Sequence, residues 1–97
     1  PPAMYMDPKV EQLHLALFKG KRKECREMLE HQRSLANATR SDGLTALHIA
    51  ASVGSKSFAK LLLDFGAALE ARECHGATAL FIASQQGHAR VVKTLLK

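Results

Sequence analysis

Tryptophan is missing from this chain, and tyrosine occurs once. Aromatic platforms for stacked bases are scarce, which counts against nucleic acid as a ligand. Two cysteines, Cys25 and Cys74, are a poor framework for stapling a small fold, so a reduced, intracellular setting is the simpler expectation. Long apolar runs are lacking too. Stretches such as Leu61-Leu62-Leu63 fall far short of a bilayer span. The opening "PPAMYMD" has neither a basic start nor an apolar stretch. No signal peptide is read in it, and residues 1–6 are set aside as a leader or linker. Neither charge sign dominates: 14 Lys and Arg stand against 9 Asp and Glu, a net charge of +5 that favours acidic partners in general and names none.

What the chain does have is internal repetition. "SDGLTALHIAASVG" at 41–54 returns as "CHGATALFIASQQG" at 74–87, a period of 33 (74 − 41). Gly43 matches Gly76, Thr45 matches Thr78, Leu47 matches Leu80, Ala50 matches Ala83 and Gly54 matches Gly87. Each copy opens on a polar turn, where Gly43 and Gly76 supply backbone angles that other residues resist. Thr45 and Thr78 are placed to cap a short helix with their hydroxyls. That helix carries Leu47, Ile49, Ala50 and Ala51 in one copy and Leu80, Ile82 and Ala83 in the other. Alanines suit a helix pressed between two neighbours. Gly54 and Gly87 end it. A second helix is predicted from about Ser55 to Asp64, with Phe58, Leu61, Leu62 and Phe65 on one face; Val91, Val92, Leu95 and Leu96 repeat the pattern. Phe65-Gly66-Ala67 stops it and leads into an extended loop over 68–74. No such unit buries its apolar face alone, so the units must stack.

The 33-residue unit, with "DGLTALHIAASVG", "LLLDFGA" and "HGATALFIASQQGHARVVKTLL", resembles the ankyrin repeat. The family's Thr-Pro-Leu-His tetrapeptide is matched by Thr45-Ala46-Leu47-His48 and, with one further departure, by Thr78-Ala79-Leu80-Phe81. The first 40 residues fit more loosely. Leu13-His14-Leu15-Ala16 align with Leu47-His48-Ile49-Ala50, and Asp7-Pro8 makes a good helix start. Cys25, Met28 and Leu29 give the second helix of that copy its buried stripe. The resemblance implies an all-α solenoid of stacked helix–turn–helix units joined by extended β-hairpin-like loops. Repeat 1 is expected over 7–40 as a cap-like copy, repeat 2 over 41–73, and repeat 3 over 74–97, stopping in or after its second helix. Its uncovered end, carrying some of Ile82, Val92, Leu95 and Leu96, is expected to meet further repeats of a longer protein or another copy.

Chemistry-bearing residues do not converge. The resemblance implies that His48 hydrogen-bonds backbone groups and ties one loop to the next, with His14 at the equivalent place in repeat 1. Cys74-His75 lacks the further ligands that a zinc site needs. "VGSKS" at 53–57 has the letters of a phosphate loop in the wrong order and follows a helix. Ser52, Ser55 and Ser57 have no His and acid arranged beside them. The chain is expected to be non-catalytic by itself, with no cofactor and no metal. Lys19, Lys21, Arg22, Lys23 and Arg26 form a basic cluster, but Glu24, Glu27 and Glu30 alternate with them, as on a solvated helix face.

Function is therefore expected from a surface. The resemblance implies a concave side, built from loop tips and first helices, that holds another protein. The residues there are Thr39, Arg40, Ser41, Asp42 and Leu44 in one loop, and Arg72, Glu73, Cys74, His75 and Ala77 in the next. Ser52, Val53, Gln85 and Gln86 extend it from the helix ends, with Phe18 and Lys19 in repeat 1. These positions differ between copies while the scaffold positions agree. Two rival roles are a regulatory or substrate-positioning segment of a larger enzyme and, more weakly, binding of anionic lipid or nucleic acid through the Lys19–Arg26 cluster.

Overall fold

The computed structural model describes residues 7–97, and the leader at 1–6 lies outside them. Asp7 starts the first helix: its carboxylate accepts the Lys9 N–H at 2.9 Å, and Pro8 takes the first turn, where its missing N–H costs nothing. The helices are α1 (Pro8–Phe18), α2 (Arg22–His31), α3 (Ala46–Val53), α4 (Lys56–Asp64), α5 (Ala79–Gln85) and α6 (Ala89–Leu96). Among the described residues there is no strand. A 3-10 turn over Arg33–Asn37, which the repeat pattern does not announce, follows α2.

Helix starts and stops follow the repeated residues. The Thr45 hydroxyl accepts the His48 N–H at 3.3 Å, Thr78 accepts that of Phe81 at 3.2 Å, and Ser55 accepts that of Phe58 at 3.1 Å. Each hairpin closes in one way. Lys21, Ser55 and His88 donate their N–H groups to the carbonyls of Ala16, Ala50 and Ala83 at 2.9–3.0 Å. The residue before each is a left-handed glycine, which an L side chain resists. Gly54 has a second reason to be glycine: a Cβ there would lie 2.6 Å from Nδ1 of His88.

The pairs α1–α2, α3–α4 and α5–α6 stack side by side, so that α3 packs against α1, α5 and α4 together. Ala46, Ala50 and Ala51 are fully buried there, where nothing longer than a methyl fits between neighbours. Leu13, Leu29, Leu47, Leu62 and Val91 are the large, fully buried side chains around them. The connecting loops have hairpin-like tips. Arg40 donates its N–H to Leu44 O at 3.0 Å, and Glu73 donates its own to Ala77 O at 3.0 Å. The two tips touch: Cys74 donates its N–H to Asp42 O at 2.8 Å, and a Cβ on Gly43 would sit 3.1 Å from the Cys74 nitrogen.

The C-terminal end carries only some of the four apolar residues considered for it. Leu95 is buried against the stack beside Val91 and does not belong to the uncovered face. Leu96 and Phe81, 67% and 56% exposed, carry that face, with Ile82 and Val92 half-buried. On α6 the spacing of four between Val91 and Leu95 points both at the core, and Leu96 is turned away. Leu47→Ala and Leu62→Ala should each cost about 2–5 kcal/mol in urea unfolding, whereas Leu96→Ala should cost under about 0.5 kcal/mol. Equal losses at all three would contradict this division of the surface.

Candidate functional site

The structure brings the sequence-selected residues to three places. Phe18 and Lys19 lie exposed at the end of α1, Ser52 and Val53 at the end of α3, and Gln85 and Gln86 at the end of α5. In the first loop Thr39 and Ser41 are exposed, while Arg40, Asp42 and Leu44 are half-buried. In the second, Arg72, Cys74 and His75 are exposed, and Glu73 and Ala77 are half-buried.

The loop carboxylates shape their own tips. Asp42 accepts the Leu44 N–H at 3.1 Å and pairs with the Arg40 guanidinium at 3.5 Å. Glu73 accepts the N–H groups of His75 at 2.6 Å and Ala77 at 3.0 Å. The hydrogen bond from Ala77, and after it those from His75, hold the Glu73 carboxyl below its ordinary range. Arg72 donates to Gly76 O at 3.0 Å across the same turn. The residues free to meet a partner are therefore chiefly those at the helix ends and the outer tips.

His48 ties the second junction as the resemblance implies. Its Nδ1 accepts the Thr45 N–H at 3.1 Å, so the proton sits on Nε2, which donates to Ala77 O at 2.9 Å in the next loop. His88 returns the tie, with Nε2 3.1 Å from Ser52 O. His14 does not follow its counterpart. It is buried, yet among the described residues neither ring nitrogen has a partner. The cause is local: Glu11 stands where Thr45 would, and α1 begins at Pro8, so His14 is mid-helix with no free capping N–H beside it. Burial first, then the charge of Arg40, lowers its pKa to about 4, with Asp42 opposing. Cys25, also buried, is pushed up to about 11 by burial and then by Glu24, and its thiol stays protonated.

Two hollows mark the surface of repeat 1. One, of about 910 Å³, is open and lies on the outer side of α1 and α2 between Leu15, Met28 and charged residues such as Lys19 and Glu24. The other, of about 170 Å³, lies between α1 and the first loop and is lined by Glu11, His14, Leu15, Phe18 and Arg40. For metals, Glu73, Cys74 and His75 bring a carboxylate, a thiol and an imidazole within 4.8 Å of one another at an exposed tip. One Glu73 oxygen is already committed to the turn's own N–H groups, and a fourth ligand is not among them. The basic cluster is partly neutralised in place: Lys21 pairs with Glu24 at 3.6 Å and Arg26 with Glu30 at 3.4 Å, all well exposed.

Sequence reasoning missed two ties. The Asn37 side chain donates to Gly66 O at 2.9 Å and accepts the Ala68 N–H at 2.6 Å, joining the loop of repeat 1 to that of repeat 2. Arg33 lies over the Phe65 ring at 4.8 Å from its centroid. Neither residue has a counterpart in the other copies, so repetition carries no signal for them.

Helical hairpins of this size, stacked in register with a His clamp between loops, define an ankyrin-type array. Comparison with known proteins agrees: the family model "Ankyrin repeats (3 copies)" matches residues 13–97, and the chain belongs to that family. It is 38% identical over 87 residues to the probable E3 ubiquitin-protein ligase XBOS32 of Oryza sativa, covering 89% of this chain and 18% of that protein. Protein fem-1 homolog A-like of Mus musculus is 36% identical over 85 residues, 88% of this chain and 13% of its own length. Among solved structures, a chain of the Bd0816 predatory endopeptidase of Bdellovibrio bacteriovorus in complex with immunity protein Bd3460 superposes with a TM-score of 0.71. The two are 29% identical, over 77% of this chain and 39% of that one. This chain spans less than a fifth of these two curated relatives. Ankyrin repeats are generally protein-interaction modules.

Two outcomes follow from the buried groups. Below pH 6.5 an unfolded His14 takes up a proton that the folded one refuses until about pH 4. The unfolded state then binds more protons, so stability falls as pH drops through that window, by on the order of 3 kcal/mol in total. Urea midpoints should show this acid limb, and His14→Leu should flatten it. For the thiols, Cys74 should react with a disulfide reagent in the native protein and Cys25 only after unfolding; two fast thiols would contradict the packing of Cys25.

Proposed function

We propose that this chain binds a protein partner on the concave side, through the helix ends and the outer loop tips. One observation carries the reading. The residues shared between copies are the ones that cap helices and fill the core, while those that change, such as Phe18, Val53, Arg72 and Gln85, stand exposed. A surface built on constant supports and variable exposed positions is free to be specific without weakening the stack. Large apolar groups and arginines are the expected anchors, and Phe18, Val53 and Arg72 supply them. The two free thiols fit an intracellular setting, which is part of this proposal. So is the division into repeats at 7–40, 41–73 and 74–97, with the exposed Phe81 and Leu96 end covered by more repeats or by a second copy.

A second reading draws on the relatives. XBOS32 and XBAT33 carry the names of E3 ubiquitin-protein ligases, the first probable, and each matches 89% of this chain over less than a fifth of its own length. On that reading the array positions a substrate for a catalytic domain elsewhere in a larger protein. The same concave side would serve both.

A pull-down with this chain and with an Arg40→Ala, Arg72→Ala variant separates recognition from folding. The variant should lose the captured protein at an unchanged melting temperature. Equal capture, or an unfolded variant, would show that these arginines are not recognition residues.

A further inference from the structure

The first inter-repeat junction holds a polar group that the stack leaves idle. His14 is 3% exposed, and among the described residues both ring nitrogens lack a partner, whereas both nitrogens of His48 are engaged. The imidazole forms part of the wall of the 170 Å³ hollow, beside Glu11, Leu15, Phe18 and Arg40. Leu15 and Phe18 are 48% and 57% exposed, so two apolar side chains border it uncovered. Arg40 comes from the loop at the end of repeat 1 and already shares its guanidinium with Asp42 at 3.5 Å.

Size and polarity select the occupant. A cavity of about 150 Å³ admits a benzene ring, so this hollow suits one ring-sized side chain. Glu11 and Arg40 carry opposite charges, and their fields offset each other across the hollow, which favours an uncharged guest. A carboxylate would also compete with Asp42 for Arg40. A wholly apolar ring would cover His14 further and leave its nitrogens unsatisfied. An apolar ring with one hydroxyl meets each of these conditions. We propose that the hollow is a subsite for the phenol side chain of a tyrosine on a protein partner, the ring against Leu15 and Phe18 and the hydroxyl on a His14 nitrogen. The proposal rests on the protein-binding reading and deepens it.

The state of His14 suits the role. Burial keeps the imidazole neutral well below physiological pH, so one ring nitrogen is an acceptor for the phenol O–H. Arg40 can donate to the same oxygen. Both ring nitrogens are closed to solvent in this conformation, so the hydroxyl reaches them when the Phe18 and Arg40 side chains part. Phe18 lies exposed at the end of α1.

The test needs no partner protein. The chain is titrated with p-cresol while the His14 ring nitrogens and the Leu15, Phe18 and Arg40 amides are followed by NMR, with toluene and acetate as comparison probes. Saturable shifts should centre on those residues, and toluene should bind about tenfold more weakly for want of the hydroxyl. His14→Phe should lose the same factor. Phe18→Ala, at an exposed position the fold tolerates, should weaken p-cresol several-fold and keeps the test intact if His14→Phe does not fold. Equal affinity for p-cresol and toluene, preferential binding of acetate, shifts centred elsewhere, or no saturation would each overturn the proposal. Such a failure leaves the pull-down result standing, whereas a failed pull-down beside saturable p-cresol binding would remove the partner and leave the hollow a phenol site only.

Discussion

α3 is covered on two flanks by α1 and α5 and from behind by α4, and most of this molecule follows from that crowding. A helix enclosed on several sides has room for small side chains where its neighbours come closest, and Ala46, Ala50 and Ala51 are all fully buried there. Narrow alanine helices bury little area each. Apolar burial at about 25 cal/mol per Å² therefore comes mostly from larger side chains, Leu47 and Ile49 on α3 itself and the Leu, Val and Phe residues that reach across from its neighbours. Leu62 of α4 and Val91 of α6 do this, and each depends on a neighbouring hairpin to complete its surroundings. The fold is cooperative between units because no unit closes its own core.

Polar ties then fix the register that apolar packing leaves loose, and the two junctions achieve it with different residues. Between repeats 2 and 3 the ties are His48 to Ala77, His88 to Ser52 and the Cys74 N–H to Asp42. Between repeats 1 and 2 they move to the segments that follow the second helices, where Asn37 bridges Gly66 and Ala68 and Arg33 covers Phe65. The clamp position at the first junction is occupied by His14, which makes no tie. Register there is held by those two contacts, and a hollow is left between α1 and the first loop. The same solenoid geometry thus gives a closed junction and an open one.

These differences explain what could be read from residues alone. Gly43, Thr45, Leu47 and Gly54 recur as Gly76, Thr78, Leu80 and Gly87, so their repetition revealed caps, turns and core. Asn37 and Arg33 act once, and a single occurrence looks like any polar loop residue. Asp42 and Glu73 looked like recognition charges, yet a short acidic side chain beside a turn satisfies nearby N–H groups as readily as it meets a ligand. Position along α6 decided between Leu95 and Leu96, because neighbouring residues on a helix point about 100° apart. His14 aligned with His48 in letters while its helix began earlier, and only the helix start shows that the clamp is missing.

Charge adds less than the count of lysines suggests. Of the cluster at the start of α2, Lys21 and Arg26 already face Glu24 and Glu30, and all four side chains are more than half exposed. Pairs of this kind contribute little to stability, and they reduce the field that an anionic lipid or nucleic acid would meet there. The ends of the first helices offer the opposite combination: Phe18 and Val53 exposed at successive helix ends, with Arg40 half-buried in the loop that separates the two helices in sequence. Desolvating a few apolar groups beside a held guanidinium gives both affinity and orientation, which scattered surface lysines do not. The proposed protein-binding role therefore rests on shape and apolar anchors and not on attraction by net charge.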